Sequence, residues 1–220
     1  IPEVFDTWYD SGSVPFASLG LRTSRPADFI AEGLDQTRGW FYTMAVLGTA
    51  LFGEFPYKQV TVNGMVLAED GKKMSKRLKN YPELTDVLNK YGADALRFYL
   101  LSSPAVRADD ISFSERGLEE VMKKNLNRLD NVLSFYELYG GEKIEGDKNN
   151  NVLDSWIEER LNELVSEVTE YLEKFEIDRA LRPIPEFIDD LSTWYLRRSR
   201  TRPEALPKLR EVLITLSRIL

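Results

Sequence analysis

The sequence predicts an α/β segment followed by an all-α segment, with the change near residue 113. Two observations carry this prediction. Before residue 113, glycine and proline separate short apolar segments that alternate between strand-like and helix-like patterns. After it, apolar residues recur every three or four positions, which is the period of an amphipathic helix.

The first segment has the order strand, helix, strand. Residues Asp28–Gly33 form a short apolar run ending at glycine and predict a buried strand. Residues Thr37–Phe52 are apolar on most sides and predict a buried helix. The alternating, β-branched Gln59–Val62 predicts a second strand, and Asn63-Gly64 predicts a tight turn after it. This order is typical of a βαβ unit with parallel strands.

The second segment contains three amphipathic helices, which together predict a helical bundle. The first runs from about Ser114 to Tyr139, and a loop is predicted at Gly140–Asn150. The predicted apolar positions are Leu118, Met122, Leu126, Leu129, Leu133 and Tyr136 in the first helix, Leu153, Ile157, Leu161, Leu164, Val168, Leu172 and Phe175 in the second, and Ile184, Phe187, Ile188, Leu191 and Tyr195 in the third.

Composition restricts the chemistry. The chain has 220 residues with no cysteine and no histidine, which excludes disulfides, thiolate or histidine metal ligands, and histidine bases. Any reaction must use carboxylates, lysines, arginines, backbone dipoles or a Mg²⁺ ion. The net charge of −7 argues against nucleic-acid binding over the whole surface but allows local basic patches. No apolar run suggests a membrane span or a signal peptide. The lack of cysteine suits the cytoplasmic location that we expect.

A basic decapeptide interrupts this acidic chain. Gly71–Asn80 reads G-K-K-M-S-K-R-L-K-N and carries five positive charges and no acid. Gly71 gives the backbone freedom, and ammonium groups on flexible stems bind phosphate as point charges. The segment is either a loop that grips a polyanion during a reaction or a solvated basic loop.

A second basic patch lies between residues 196 and 210, where Glu204 is the one acid. Its cations are Arg197, Arg198, Arg200, Arg202, Lys208 and Arg210. Arginines beside Trp194 and Tyr195 suit RNA phosphates and stacked bases. The alternative, that they pair with Asp189, Asp190 and Glu204 along helix faces, stays open.

Five motifs in order resemble the isoleucyl-tRNA synthetase family of class I aminoacyl-tRNA synthetases. K-M-S-K-R at Lys73–Arg77 resembles the second class I signature, commonly written KMSKS. The other four are D-T-W-Y-D-S-G-S-V-P (Asp6–Pro15), E-G-L-D-Q-T-R-G-W-F (Glu32–Phe41), Y-G-A-D-A-L-R (Tyr91–Arg97) and L-S-T-W-Y-L-R-R-S-R (Leu191–Arg200). The resemblance covers nearly the whole chain. Valine and leucine enzymes share the lysine loop, residues Gly71–Asn80, but differ in the two tryptophan segments, Asp6–Pro15 and Glu32–Phe41.

The resemblance implies three regions. Residues 1–80 correspond to the C-terminal half of a Rossmann-type catalytic domain, residues 81–113 to stem-contact or linker helices, and residues 114–220 to the truncated start of an α-helical anticodon-binding domain. The first class I signature, HIGH, needs histidine and is missing, and the editing domain would precede Ile1. We therefore expect a fragment that is inactive alone. The alternative is a stand-alone RNA-binding module derived from a synthetase.

The resemblance also implies a reaction: isoleucine and ATP, with its Mg²⁺, give isoleucyl-adenylate, and isoleucine then passes to tRNA(Ile). Lys73 and Lys76 would bind the triphosphate and the departing pyrophosphate, and Ser75 would fix the loop. The polar end of the adenylate pocket would be formed by Glu32, Gly33, Asp35 and Gln36. For Glu32 and Asp35 the alternative is capping of the helix near Thr37.

Trp8 and Trp40 would wall the isoleucine side chain, and plain core packing is their alternative reading. The tRNA contacts would come from Arg197, Arg198, Arg200 and Arg202. The segment offers no zinc ligands and no contact with a membrane. The parent enzyme is expected to be monomeric, and the oligomeric state of this chain stays open.

Overall fold

The computed structural model describes residues 6–18, 26–140 and 151–220. The chain divides into two compact units, residues 1–67 with 104–111, and residues 68–103 with 112–220. The predicted fold class is confirmed, since parallel strands lie in the first unit and helices dominate the second. The domain boundaries at residues 80 and 113 stay predictions. From residue 141 on, the predicted loop lies outside the described residues.

The first unit is built around two parallel strands. Phe29 of β1 (Ala27–Gly33) pairs with Gln59 of β2 (Tyr57–Asn63), and the pairing ends with Gly33 opposite Asn63. A 3₁₀ turn at residues Leu34–Arg38 connects β1 to α2 (Trp40–Phe52), which begins at Trp40 rather than at the predicted Thr37. The elements are α1 (Thr7–Ala17), β1 (Ala27–Gly33), α2 (Trp40–Phe52), β2 (Tyr57–Asn63), β3 (Val66–Leu67), a 3₁₀ turn (Pro104–Arg107) and the start of β4 (Ile111–Ser112).

Both β1 and α2 were predicted to be buried, and that prediction is wrong for most of their residues. Only Ile30 of β1 is buried, whereas α2 buries Phe41, Met44 and Gly48 and exposes the large side chains Tyr42, Val46 and Leu51. The reason is that, among the described residues, β1 pairs with one strand and α2 packs on one helix, α1. An apolar sequence does not reveal how many of its sides are covered.

The predicted tight turn at Asn63-Gly64 is also wrong. Neither residue has a positive φ, and β2 pairs with β1 rather than with the strand that follows it. Gly64 serves a close approach instead, because a Cβ there would collide with the backbone carbonyl of Asp109. Its N–H donates to the carbonyl of Ala105 over 2.8 Å.

The second unit is helical, and its core lies among the helices between residues 127 and 216. The helices are α3 (Leu84–Tyr91), α4 (Ala93–Leu101), α5 (Glu115–Val121), α6 (Asn127–Tyr139), α7 (Val152–Glu173), α8 (Ile177–Leu181), α9 (Ile184–Asp189), α10 (Arg197–Ser199) and α11 (Leu206–Leu216), with π-helical turns at Met122–Leu126 and Asp190–Leu196 and a 3₁₀ turn at Pro203–Ala205. Among the described residues, no helix is both long and apolar enough to cross a membrane.

The helical periodicities are confirmed with local differences. All five apolar positions predicted for the third helix, from Ile184 to Tyr195, are at most 1% exposed. In the first helix, which is capped by the Ser114 hydroxyl, Val132 takes the buried place predicted for Leu133. Leu172 of α7 is likewise exposed. Neighbouring apolar residues share one broad helix face, so their pattern cannot decide which of them points into the core.

Candidate functional site

Both tryptophans predicted for the amino-acid pocket lie where α1 meets α2. The Trp40 indole donates from Nε1 to the carbonyl of Ser11 over 2.8 Å, which ties the start of α2 to α1. The Trp8 ring lies against Gly39, where a Cβ would come within 3.1 Å of its Cη2 atom. Trp8 is 48% exposed. The structure therefore brings the two rings to one corner of the first unit and leaves one of them accessible.

The polar residues after β1 are arranged around Gln36. Its Oε1 atom accepts the Trp40 backbone N–H over 2.8 Å, and its Nε2 atom lies 3.4 Å from Oδ2 of Asp35. The cap of α2 therefore comes from Gln36. The exposed Glu32 makes no described hydrogen bond or ion pair through its side chain. Capping of α2 by Glu32 or Asp35 is not what the structure shows.

Gly33 makes room for this arrangement. A Cβ at Gly33 would lie 2.6 Å from Oδ1 of Asp35, so a larger residue would displace that carboxylate. The carboxylates of Glu32 and Asp35 thus lie at the carboxyl end of a parallel strand, which is where open α/β sheets bind ligands.

The lysine loop begins with a tight turn in the second unit. The Ala68 N–H donates to the carbonyl of Lys72, and the Gly71 N–H donates back to the carbonyl of Ala68. Gly71 has φ +76°, which a residue with a side chain adopts at a cost. Asp70 accepts hydrogen bonds from the side chain and the backbone of Lys72, and these lower the pKa of Asp70. Lys72 is therefore already partnered by an acid.

The other four cations of the loop differ from Lys72 in their pairing. Within the described ranges, the side chains of Lys73, Lys76, Arg77 and Lys79 have no ion-pair partner, and all are exposed. Their backbone is nonetheless held: the carbonyl of Ser75 accepts N–H groups from Leu78 and Lys79. A loop with a fixed backbone and unpaired ammonium groups can bind a polyanion without first breaking an ion pair.

Asn80, which the sequence reasoning missed, holds this backbone. Its Oδ1 accepts the Ser75 N–H over 2.9 Å, and its Nδ2 donates to the carbonyl of Lys73 over 3.2 Å. Met74, between these two bonds, is partly buried and lines a cavity of about 450 Å³ with Tyr81 and Phe113. The preference of asparagine for turns was the one available signal.

The arginine segment separates into two groups. Arg197, Arg198 and Arg200 are exposed and have no ion-pair partner within the described ranges. The Arg198 guanidinium lies 3.7 Å from the centre of the Trp194 ring, which is itself 47% exposed. We call Trp194, Arg197, Arg198 and Arg200 the arginine face; these residues place three exposed cations and one exposed aromatic ring close together in the chain.

Arg202 differs from the arginine face. Its Nη2 atom lies 2.8 Å from Oδ2 of the buried Asp154, and its Nε lies 3.8 Å from Glu204. Burial raises the pKa of Tyr195, whose protonated hydroxyl donates to the other oxygen of Asp154. Among the described residues, Arg202 with Glu204 is the one ion pair that matches the alternative of arginines paired with Asp189, Asp190 and Glu204.

The two remaining acids of that alternative pair with arginines of other helices. Asp189 binds Arg128, and Asp190 binds Arg160. Among the described residues, no group of three or more aspartate, glutamate, histidine or cysteine side chains is arranged to hold a metal ion.

Sequence profiles place these features in a family. The profile of "tRNA synthetases class I (I, L, M and V)" matches residues 1–114, and that of the "Anticodon-binding domain of tRNA ligase" matches residues 154–220. The chain therefore belongs to the class I tRNA synthetases. The first profile includes Trp8, Trp40 and the lysine loop, and the second includes the arginine face.

Within this class the chain is similar to isoleucine–tRNA ligases. That of Bdellovibrio bacteriovorus is 44% identical over 240 residues, which cover 99% of this chain and 23% of the relative. That of Protochlamydia amoebophila is 46% identical over 244 residues, covering 100% of this chain and 23% of the relative. The chain thus spans less than a quarter of the length of these relatives.

Solved structures support the same fold. An Agrobacterium radiobacter K84 LeuRS, in a ternary complex with tRNA and LeuAMS, superimposes with a TM-score of 0.75 at 21% identity, covering 99% of this chain and 30% of that one. The Mycobacterium tuberculosis methionyl-tRNA synthetase in complex with methionyl-adenylate gives 0.74 at 18% identity, covering 100% of this chain and 48% of that one.

Proposed function

We propose that the chain is part of an isoleucine–tRNA ligase, which activates isoleucine with ATP and transfers it to tRNA(Ile). The observation that carries this proposal is the lysine loop, whose backbone is fixed while Lys73, Lys76, Arg77 and Lys79 remain unpaired. Such a loop is suited to a triphosphate that must be held during the reaction and then released. Similarity to isoleucine–tRNA ligases supports the choice of amino acid.

The first step needs no histidine. A carboxylate oxygen of isoleucine forms a bond to the α-phosphorus of ATP, and the bond from that phosphorus to the bridging oxygen breaks, so pyrophosphate leaves with the electron pair. The nucleophile is already ionised, and the protein therefore contributes positioning and charge stabilisation. Lys76 and Lys73 stabilise the phosphates, and ATP brings its Mg²⁺ as part of the substrate.

The first unit is assigned the amino acid and the adenylate. Trp8 supplies an accessible apolar ring for the isoleucine side chain, and Trp40 supports the same corner through its bond to Ser11. Glu32 and Asp35 offer carboxylates for the substrate ammonium and the ribose hydroxyls. Gln36 already uses both ends of its amide, so we assign it mainly the positioning of Asp35 and Trp40.

The arginine face is assigned to tRNA. Arg197, Arg198 and Arg200 would bind phosphates, and Trp194 would stack on an unpaired base. We leave Arg202 out of this surface because its guanidinium is engaged with Asp154 inside the unit. The same face supports a second candidate function, RNA binding without adenylation.

The experiment that tests the ligase proposal is isoleucine-dependent exchange of radiolabelled pyrophosphate into ATP by the full-length protein that carries this chain. Exchange with isoleucine supports the proposal. Absence of exchange with every amino acid, together with binding of tRNA, would leave the RNA-binding function in its place.

Two substitutions on the arginine face are expected to weaken tRNA binding in different ways. Trp194→Ala should lower the affinity about tenfold, because stacking on a base contributes about 1–3 kcal/mol, and should leave the dependence on salt unchanged. Arg200→Ala should reduce the slope of log affinity against log salt by about 1, since one phosphate contact is lost. Fluorescence anisotropy with labelled tRNA(Ile) measures both.

The matched control is Tyr139→Ala, which removes an exposed aromatic side chain of α6 outside the arginine face. It should bind like the unchanged protein. If Trp194→Ala and Arg200→Ala both retain the full affinity and the full salt slope, the arginine face does not bind this RNA.

A further inference from the structure

We infer that Asn80 is the positioning residue of the lysine loop: its amide joins the two ends of residues 73–80 and so fixes where the ammonium groups of Lys73 and Lys76 emerge. This inference deepens the proposed function, on which its catalytic part rests. Asn80 makes no contact with substrate in this assignment and acts through the backbone that carries the lysines.

The two bonds of the Asn80 side chain enclose a single residue. The acceptor end takes the N–H of Ser75 and the donor end reaches the carbonyl of Lys73, so both peptide groups that flank Met74 are held by one planar amide. An amide is suited to this position because it offers a donor and an acceptor side by side. Aspartate could accept the first bond but could not donate the second.

The rest of the segment gives Asn80 a defined position. The carbonyl of Ser75 accepts from the N–H groups of Leu78 and Lys79, over 3.1 and 3.0 Å, and the chain then reverses through Lys79 with φ +47°. Residues with side chains adopt this conformation at a cost, so the bonds on either side must hold it. The result is a closed loop whose last residue bonds back to its beginning.

Closure matters because, among the described residues, the loop backbone is what orients the two lysine side chains. Lys73 carries the carbonyl that accepts from Asn80, and Lys76 follows Ser75, whose N–H donates to Asn80. No described acid pairs with either lysine. If the bonds of Asn80 were lost, the same charges would be distributed over many loop conformations. Misplacing a group that must contact the transition state reduces the rate far more than it reduces overall charge attraction.

The structural part of the inference is tested by limited trypsin digestion of the full-length protein, with cleavage within the loop followed by mass spectrometry. Trypsin cleaves after lysine and arginine, and the loop offers five such sites: Lys72, Lys73, Lys76, Arg77 and Lys79. In Asn80→Ala, cleavage within the loop should become about tenfold faster, as expected when two hydrogen bonds that hold a local structure are removed. Asn89→Ala is the matched control, because it removes an exposed amide from α3 that has no described side-chain hydrogen bond.

The catalytic part is tested by pyrophosphate exchange in the full-length protein. Asn80→Ala should lower kcat about 100-fold, leave the KM for isoleucine unchanged, and keep the thermal midpoint of the parent. Asn80→Asp, which keeps the acceptor for the Ser75 N–H, should have a kcat between that of the unchanged protein and that of Asn80→Ala. A merely structural role would not separate kcat from the KM for isoleucine in this way.

The outcomes distinguish a failure of the inference about Asn80 from a failure of the proposed function. If the unchanged protein exchanges pyrophosphate with no amino acid, the proposed function fails and the trypsin result alone decides whether Asn80 holds the loop. If the unchanged protein is active and Asn80→Ala matches it in kcat, the inference is overturned. Equal rates of loop cleavage in Asn80→Ala and Asn89→Ala overturn it as well.

Discussion

Replacing Lys76 with alanine in the full-length protein is expected to lower the kcat of isoleucine-dependent pyrophosphate exchange by about 100-fold. Lys76 is exposed and has no described ion-pair partner, so its full charge is available to the phosphates. A donor placed where charge develops stabilises the transition state by about 3 kcal/mol. The loss should appear in kcat, because charge on the leaving pyrophosphate grows during the reaction.

The same loop provides the control. Lys72 lies four positions earlier and already pairs with Asp70 over 3.0 Å. Lys72→Ala removes the same charge but should reduce exchange only a few-fold, on the order of a surface electrostatic effect. If the two variants lose activity equally, the loop acts through its total charge, and the specific role proposed for Lys76 is wrong.

The largest effect on stability is expected at Arg202. Its side chain is 15% exposed and pairs with Asp154, whose side chain is 9% exposed. Arg202→Ala leaves the Asp154 carboxylate with the Tyr195 hydroxyl as its remaining described side-chain partner. Removing one partner of a buried pair leaves an uncompensated charge, so the free energy of unfolding should fall by about 3 kcal/mol. Urea unfolding followed by circular dichroism measures this change.

Arg200 is the matched comparison for Arg202. It lies two residues away, is exposed, and has no described ion-pair partner. Arg200→Ala should change the free energy of unfolding by less than about 0.5 kcal/mol while weakening RNA binding. Arg202→Ala should therefore lower folding stability, whereas Arg200→Ala should lower the affinity for RNA. Equal destabilisation by both variants would contradict the assignment of Arg202 to the interior.

The parts of the fold that could be predicted are those in which apolar residues recur at a regular spacing along the chain. The strand–helix–strand order and the buried positions from Ile184 to Tyr195 follow from spacing within the chain, which a sequence displays directly. The extent of burial of β1 and α2 could not be predicted in this way. It depends on how many neighbours cover each element, and spacing along one element says nothing about that.

Several individual contacts could not be predicted, for a different reason. Gln36 as the cap of α2, Gly64 close to Asp109, and Arg202 paired with Asp154 each depend on a partner that the local sequence pattern does not identify. Arg202 in particular stands in the same basic run as Arg200, and composition treats them alike. Only the distance to Asp154, 48 residues away in the chain, separates them.

The most direct test of the account is amino-acid-dependent pyrophosphate exchange by the full-length protein, measured with each standard amino acid in turn and with the 220-residue chain alone as a second sample. Exchange should be fastest with isoleucine, weaker with the smaller valine, and absent from the 220-residue chain alone. Faster exchange with leucine or methionine than with isoleucine, or no exchange with any amino acid, would contradict the account.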